Sequence, residues 1–255
     1  MGWLIVNSIQ FNKQFVKDYF SRGFESTIFE YQDLNLYSEP VLLKKFNSEV
    51  YPNLDFYKNK INKLYLISLN EYLSNEIEFL DLVFDEKEFV GYTMKKVDFT
   101  PISAFDKRKN KIYFLKLLRD KITTLNNQDI YIGDFNTKNF LTSKNKDILK
   151  LCDLDNLRIG EFDFDIMDNA QKNFMRKCGN VKLIDSYCFN LFTISFLQNY
   201  DFSYLCRYLS WSHFSRIFSN PENEEIFDSM LNLGENYEGK FLIDNIKTKS
   251  KIKLI

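Results

Sequence analysis

A chain with a single histidine has almost nothing with which to run His-dependent nucleophilic chemistry. This one has only His213, set between Trp211 and Phe214, where a packed or capping role is expected. Its four cysteines, Cys152, Cys178, Cys188 and Cys206, form no C-x-x-C pair, and with one histidine beside them they argue against a zinc site. Cys152 and Cys188 lie inside apolar runs, where a reduced thiol packs as a small hydrophobe. Glycine and proline are scarce, at 8 and 4, which excludes a flexible linker or a low-complexity tail. Neither sign of charge dominates. With 34 basic and 35 acidic residues the net charge is −1, which leaves no basic footprint for nucleic acid and no polybasic stretch for a membrane surface. The longest apolar runs fall far short of a membrane span. The N-terminal Met1-Gly2-Trp3-Leu4-Ile5-Val6-Asn7 has no charged n-region or cleavage site, and no Ser or Thr follows where a myristoylation signal needs one. The expectation is a soluble, cytoplasmic protein.

What is present is apolar and aromatic. Hydrophobic residues make up 45% of the 255, with 26 Phe and 15 Tyr spread along the chain, enough for one large core or two modest lobes. In the first hundred residues, Ser26 to Tyr31, Val41 to Phe46, Phe79 to Phe84 and Phe89 to Val97 read as strands, the last two joined by the polar turn Asp85-Glu86-Lys87-Glu88. Leu54, Tyr57, Ile61, Leu64 and Ile67 recur at helical spacing and predict a single helix within that sheet. After Pro101 the pattern changes. Phe105 to Leu125 predicts a long amphipathic helix, Asn156 to Lys182 an irregular charged stretch, and Ile184 to Leu197 a helix apolar nearly all round and hence buried. Ser219-Asn220-Pro221-Glu222 reads as a capped helix start.

Two short turns carry the chemistry. Tyr131-Ile132-Gly133-Asp134-Phe135-Asn136-Thr137-Lys138-Asn139-Phe140-Leu141 is followed by Leu149-Lys150-Leu151-Cys152-Asp153-Leu154-Asp155, each turn being entered from an apolar run. Phosphoryl transfer needs this inventory: one carboxylate to orient the attacking hydroxyl, and an amide and a second carboxylate to hold magnesium on the phosphates. The spacing Asp-x-x-x-x-Asn is not special by itself, since it recurs at Asp168–Asn173 and Asp185–Asn190. Only Asp134–Asn139 has strand-like residues on both sides and a second Asp-ending strand soon after.

With these neighbours, the order and spacing of nearly the whole chain resemble the protein kinase-like superfamily, in its small, divergent bacterial- or phage-type Ser/Thr form. The resemblance implies an α+β, bilobal protein kinase-like fold, with a β-rich N-lobe with one main helix (1–97) and a mostly helical C-lobe (98–255). Ile132-Gly133-Asp134 to Asn139 resembles the catalytic loop, with Asp134 on the substrate hydroxyl and Asn139 on magnesium. Asp153-Leu154-Asp155 is similar to the D-F-G turn, with Asp153 as the main metal ligand. Upstream, Gly23-Phe24-Glu25-Ser26-Thr27-Ile28 resembles the Gly-rich loop over the ATP phosphates, with Ser21 and Ser26 where other glycines would stand. Val41-Leu42-Leu43-Lys44 matches V-A-I-K, which implies Lys44 on the α/β-phosphates. Strand alternation puts Leu42 and Lys44 on one face and Lys45 on the other. Gly91 to Val97 resembles the strand entering the hinge, with Met94 as gatekeeper, the backbone of Lys95 and Val97 on adenine and Asp98 on the ribose. Ile28 and Leu141 complete the implied nucleotide site. Asp185 stands where a structural aspartate braces the catalytic-loop backbone.

The departures are also informative. Ile132 and Gly133 replace the loop's usual His and Arg, and no Ser, Thr or Tyr lies between Leu157 and Ile184. An Arg–phosphate switch in that segment lacks both partners, so activity is expected without its phosphorylation. No A-P-E motif precedes Asp185. The helix that should supply Lys44 with a glutamate reads Asn59-Lys60-Ile61-Asn62-Lys63-Leu64, and Glu49 and Asp55 lie only near its start. Gly133, Asn136 and Asp155 are shared with small-molecule kinases of the aminoglycoside/choline kinase type. The weak Gly-rich loop and the missing glutamate also suit a nucleotide-binding pseudokinase that serves as a partner-binding module. The expectation is an ATP- and Mg²⁺-dependent kinase acting on protein Ser/Thr and regulated by partners, without nucleic acid or membrane.

Overall fold

The computed structural model describes residues 7–246 apart from 24, 51–53, 77–78, 105–106, 133, 146–147, 166, 216–217 and 234–236. Gly133, Phe24 and Phe105 of the sequence reading therefore lie outside the described residues. The fold is mixed α+β, and the chain divides into two compact units. One takes it as far as Phe99 together with Lys150–Asp155, and the other takes Thr100–Leu149 and Asn156 onward.

The first unit is built on a six-stranded sheet. Its strands are β1 (Asn7–Gln10), β2 (Val16–Arg22), β3 (Ser26–Tyr31), β4 (Val41–Phe46), β5 (Phe79–Asp85) and β6 (Glu88–Lys95), in the spatial order β1-β5-β6-β4-β3-β2. Strand β1 runs parallel to β5, and the other neighbours are antiparallel. Helices α1 (Leu54–Leu69) and α2 (Glu71–Ser74) lie between β4 and β5 in the chain. Strands β1 and β2 are additions to the sequence reading. Exposed polar residues dominate both (Asn7, Ser8 and Gln10 in β1, Lys17, Asp18 and Ser21 in β2), so neither shows the apolar alternation of an inner strand. Strand β6 stops at Lys95, two residues short of the predicted end at Val97.

The sheet's two faces differ. Val41 and Leu43 join Tyr31 and Val83 in an apolar core packed by Ile9, Phe11, Phe15, Val16, Tyr37, Leu80 and Val90. On the opposite face, Phe46 meets Phe89 and Tyr92, while Tyr57 of α1 meets Phe89 edge-on. Helix α1 does not bury the stripe its apolar spacing implies. Ile61 is only half-buried, and Lys60 and Lys63 are fully buried beside Leu64 and Ile67. Gly91 explains how β6 comes so close to β4. A Cβ there would lie 2.0 Å from the Lys44 carbonyl oxygen, so any larger residue would force the two strands apart.

The second unit contains β7 (Thr100–Pro101), α3 (Arg108–Asn126), β8 (Ile130–Tyr131) and β9 (Phe140–Thr142). Strand β10 (Leu149–Leu151) begins at its edge, followed by β11 (Arg158–Ile159), α4 (Asn169–Lys177), α5 (Ile184–Gln198), α6 (Phe202–Tyr208) and α7 (Pro221–Leu231). Helix α5 is buried on every side, with only Ser195 and Gln198 outside the core. Among its buried polar groups, Asn190 is bonded through both side-chain polar atoms. Asn190 donates to the Lys240 carbonyl at 2.8 Å and accepts from the Leu242 amide at 2.9 Å. The helix ends on left-handed Asn199, where the buried Lys111 ammonium bonds the Phe196 carbonyl and the Asn199 side chain, both at 2.7 Å.

Helix α4 corrects the reading of 156–182 as irregular. Only Ala170 and Phe174 mark its apolar side, too few to show a period, yet its start carries a capping box in which Asp168 and Gln171 bond each other's backbone. The single histidine is a cap as well: His213 is buried, bonds the Ser210 amide through Nδ1, and packs against Tyr200 and Tyr204. Among the described residues, no helix is long and apolar enough to cross a membrane. Cys188 and Cys206 are buried, which pushes both thiols up, that of Cys206 to about 12. Ellman's reagent at pH 8 is therefore expected to reach only Cys152 and Cys178 in native protein, with all four thiols released in denaturant. Rapid reaction of a third thiol in folded protein would contradict this burial.

Candidate functional site

Each unit carries a polar cluster that its apolar packing does not require. In the first, alternation along β4 puts Leu42, Lys44 and Phe46 on one face, and all three are buried. Ile28 stands opposite Lys44 in the register, and Met94, also buried, stands opposite Leu42. Lys45 goes the other way, its ammonium 4.5 Å over the Phe11 ring, and is not an equivalent of Lys44.

The Lys44 ammonium is held by two carboxylates from far along the chain. It pairs with Asp153 and, at 2.5 Å, with Asp155. Asp155 is 1% exposed and also binds the ammonium of Lys60, itself 0% exposed, at 2.7 Å. It accepts the Tyr92 hydroxyl at 3.0 Å, and its backbone carbonyl accepts from Lys60 at 3.0 Å. Burial by itself would neutralise Lys44, but Asp153 and Asp155 outweigh it and hold its pKa well above the usual lysine range. Burial would likewise raise Asp155, but Lys44 and Lys60 hold it well below the usual carboxylate range. Asp153 differs. Its side chain is 37% exposed, and lost solvation raises its pKa against the pull of Lys44, with Asp155 adding to the rise. Its backbone is left-handed at φ 66°, a conformation few non-glycine residues adopt, and aspartate is among those that tolerate it.

The remaining predicted residues of this unit lie at the β2–β3 turn and at the end of β6. Gly23 and Ser26 form the β2–β3 turn, where the Gly23 amide donates to the Ser26 carbonyl at 2.8 Å. Gly23 has no positive φ, and a Cβ would make only ordinary contact, so the turn does not demand a glycine. Lys95 ends β6 exposed, with half-buried Val97 and exposed Asp98 just beyond.

In the second unit, Asp134 and Asn139 come together: the Asn139 amide nitrogen donates to the Asp134 carboxylate at 2.8 Å. The loop between them is tied by its own backbone, Asn136 to Asp134 at 3.1 Å and Asn139 to Asn136 at 2.9 Å. Phe135 is buried and packs on Phe140 and Phe192, fastening the loop to β9 and α5. The entry to the loop is held on both sides of Ile132. Its amide donates to both carboxylate oxygens of Asp185 at 3.0 Å, and its carbonyl accepts from Gln171 of α4 at 3.3 Å. In the amide orientation that satisfies both of its ends, Asn126 also donates to Asp185 at 2.8 Å and to the Ile130 carbonyl at 3.0 Å. Asp185 is 0% exposed; burial pushes its pKa well up, against the pull of the Ile132 amide. Leu141 lies half-buried in β9, opposite Pro101 of β7.

Beside Asp134 a cavity of about 1190 Å³ opens within this unit, lined by Phe135, Phe192 and Phe196 and by other residues of α4, α5 and α6. Among the described residues, no three His, Cys, Asp or Glu side chains gather into a metal cluster.

Sequence reasoning missed Lys60, Tyr92 and Gln171, and it left Asp155 without a task. A signal for Lys60 existed: it stands four residues before Leu64 on the buried stripe of α1, where a lysine needs a buried counter-charge. Neither a family model nor a curated protein sequence matches this chain.

Proposed function

We propose that the chain is an ATP- and Mg²⁺-dependent phosphotransferase of bilobal protein kinase-like fold that moves the γ-phosphoryl group to a hydroxyl of protein Ser/Thr. The observation that carries the reading is the pairing of buried Lys44 with half-exposed Asp153, 109 positions away in the chain, at a left-handed turn. Motif order assigns these two residues to the phosphates and to the metal, and a packed core has no need of such a pair. Asp134 and its bond from Asn139 supply the second half of the inventory. That bond uses the Asn139 amide nitrogen and leaves its oxygen as the hard donor a magnesium ion prefers.

Magnesium is held in such enzymes by one or two protein oxygens and by the substrate's phosphates, so the roles that motif order gives to Asp153 in the first unit and to Asn139 in the second do not call for a dedicated cluster. When bound, it neutralises charge that builds on the phosphate oxygens. The chain's own contributions are then distinct. Lys44 holds the α/β-phosphates, the Asp134 carboxylate orients the acceptor hydroxyl and takes its proton, and the holds on Ile132 and on Phe135 fix where that carboxylate stands.

A second acceptor class, a small hydroxyl compound, is favoured by the cavity beside Asp134. One experiment sorts the readings: γ-labelled ATP with the purified chain, with and without Mg²⁺, offered a protein mixture and a pool of small alcohols and amino sugars. Mg²⁺-dependent label on protein Ser or Thr supports the first reading, and label on small molecules alone supports the second. ATP binding without transfer to any acceptor would refute phosphotransfer.

A further inference from the structure

We infer that Asp155 is the positioning residue of Lys44, replacing the helix glutamate, and that Lys60 on α1 is its anchor. The inference rests on the phosphotransferase reading for its consequence and on the cluster's geometry for its form. A lysine ammonium on a flexible four-carbon stem reaches a phosphate reproducibly only if a fixed anion holds it. In kinase-like sites that anion is a glutamate on the helix packed over the lysine's strand. Helix α1 has no acid from Phe56 to its end; its one acid, Asp55, is in its first turn. It buries Lys60 and Lys63 instead, and Glu49 is exposed.

The sign of the helix charge has thus been reversed, and the anion comes from the turn after β10. Asp155 is held at its three oxygens: one carboxylate oxygen by hydrogen bonds from Lys44 at 2.5 Å and Tyr92 at 3.0 Å, the other by its ion pair with Lys60 at 2.7 Å, and the carbonyl by Lys60 at 3.0 Å. Both ammonium groups also lie over the face of Phe46, Lys44 at 5.7 Å and Lys60 at 5.1 Å. A carboxylate so held, 1% exposed, cannot turn to a metal. Asp153, two residues earlier and 37% exposed, can. The two acids of Asp153-Leu154-Asp155 therefore divide the work: Asp153 serves the ligand and Asp155 serves Lys44.

The test compares Asp155→Asn with the double variant Asp155→Asn/Lys60→Glu, which puts the acid back on the helix. Asp155→Asn is expected to raise the KM for MgATP and weaken MgATP binding by at least about tenfold, with the acceptor KM unchanged. The double variant is expected to fold as wild type does, by circular dichroism, and to recover MgATP binding to within about threefold. A merely structural role for Asp155 would lower stability and leave that split and its rescue absent. Wild-type KM in folded Asp155→Asn, or a folded double variant that binds MgATP no better than the single, overturns the inference while the phosphotransferase reading stands. Wild-type protein that neither binds MgATP nor transfers phosphate overturns both.

Discussion

Replacing Asp134 with asparagine is expected to lower kcat by about 10²–10⁴-fold, the usual worth of a positioned general base, with MgATP affinity within about threefold of wild type. The geometry makes this substitution unusually clean. The loop's position does not depend on the Asp134 charge, because Asp185 and Gln171 grip Ile132 on either side and Phe135 is buried against Phe140 and Phe192. Asparagine keeps an oxygen to accept from the Asn139 amide, as the carboxylate does at 2.8 Å. It loses the negative charge and, with it, the capacity to take a proton. The measurement is single-turnover transfer from labelled ATP beside calorimetric MgATP binding. A rate within about threefold of wild type would remove Asp134 from the reaction, and a parallel collapse of MgATP affinity would make it a nucleotide ligand instead.

How far the sequence could be read depends on where each residue's partners lie. Inner strands β3 to β6 and helix α5 were legible because burial on both faces or all round writes itself as apolar period. Edge strands β1 and β2 were not, since a solvent-facing strand needs few apolar residues, and α4 was hidden because only Ala170 and Phe174 anchor it. Its capping box was nevertheless visible at Asp168 and Gln171. Of the two polar clusters, the residues named by a local motif were legible: Lys44 and Asp153, which pair, and Asp134 and Asn139, which bond, each sit in a short string. Asp155 and Lys60 were not, because their meaning lies in each other, 95 positions apart in the chain. A motif shows that the middle of α1 lacks an acid, and only the fold shows the lysine that is buried there.

Asp155→Ala is expected to destabilise the first unit by about 3–5 kcal/mol, the cost of removing one partner from a buried ion pair. Lys44 and Lys60 are both buried, and they share this carboxylate. Without it, two ammonium groups remain over one Phe46 ring, with half-exposed Asp153 as the acid left to Lys44. Asp153→Asn provides the contrast. It keeps a residue type that tolerates the left-handed turn, its carboxylate is 37% exposed, and Asp155 stays on Lys44, so its cost is expected to be smaller, about 1 kcal/mol. A chain of two units need not unfold in one step, so the measure should be local. Hydrogen exchange in β4 and α1 is expected to speed up by roughly two to nearly four decades in Asp155→Ala and by less than about one decade in Asp153→Asn. Equal, small changes in the two variants would mean that the buried cluster carries no stability. The apolar triple replacement Lys44→Met/Lys60→Met/Asp155→Leu completes the argument: similar volume without buried charge is expected to restore protection to wild-type level or above. If that variant is stable and transfers no phosphate, the cluster is not what the fold needs to stand, and its four charges are kept for what Lys44 and Asp153 do to a ligand.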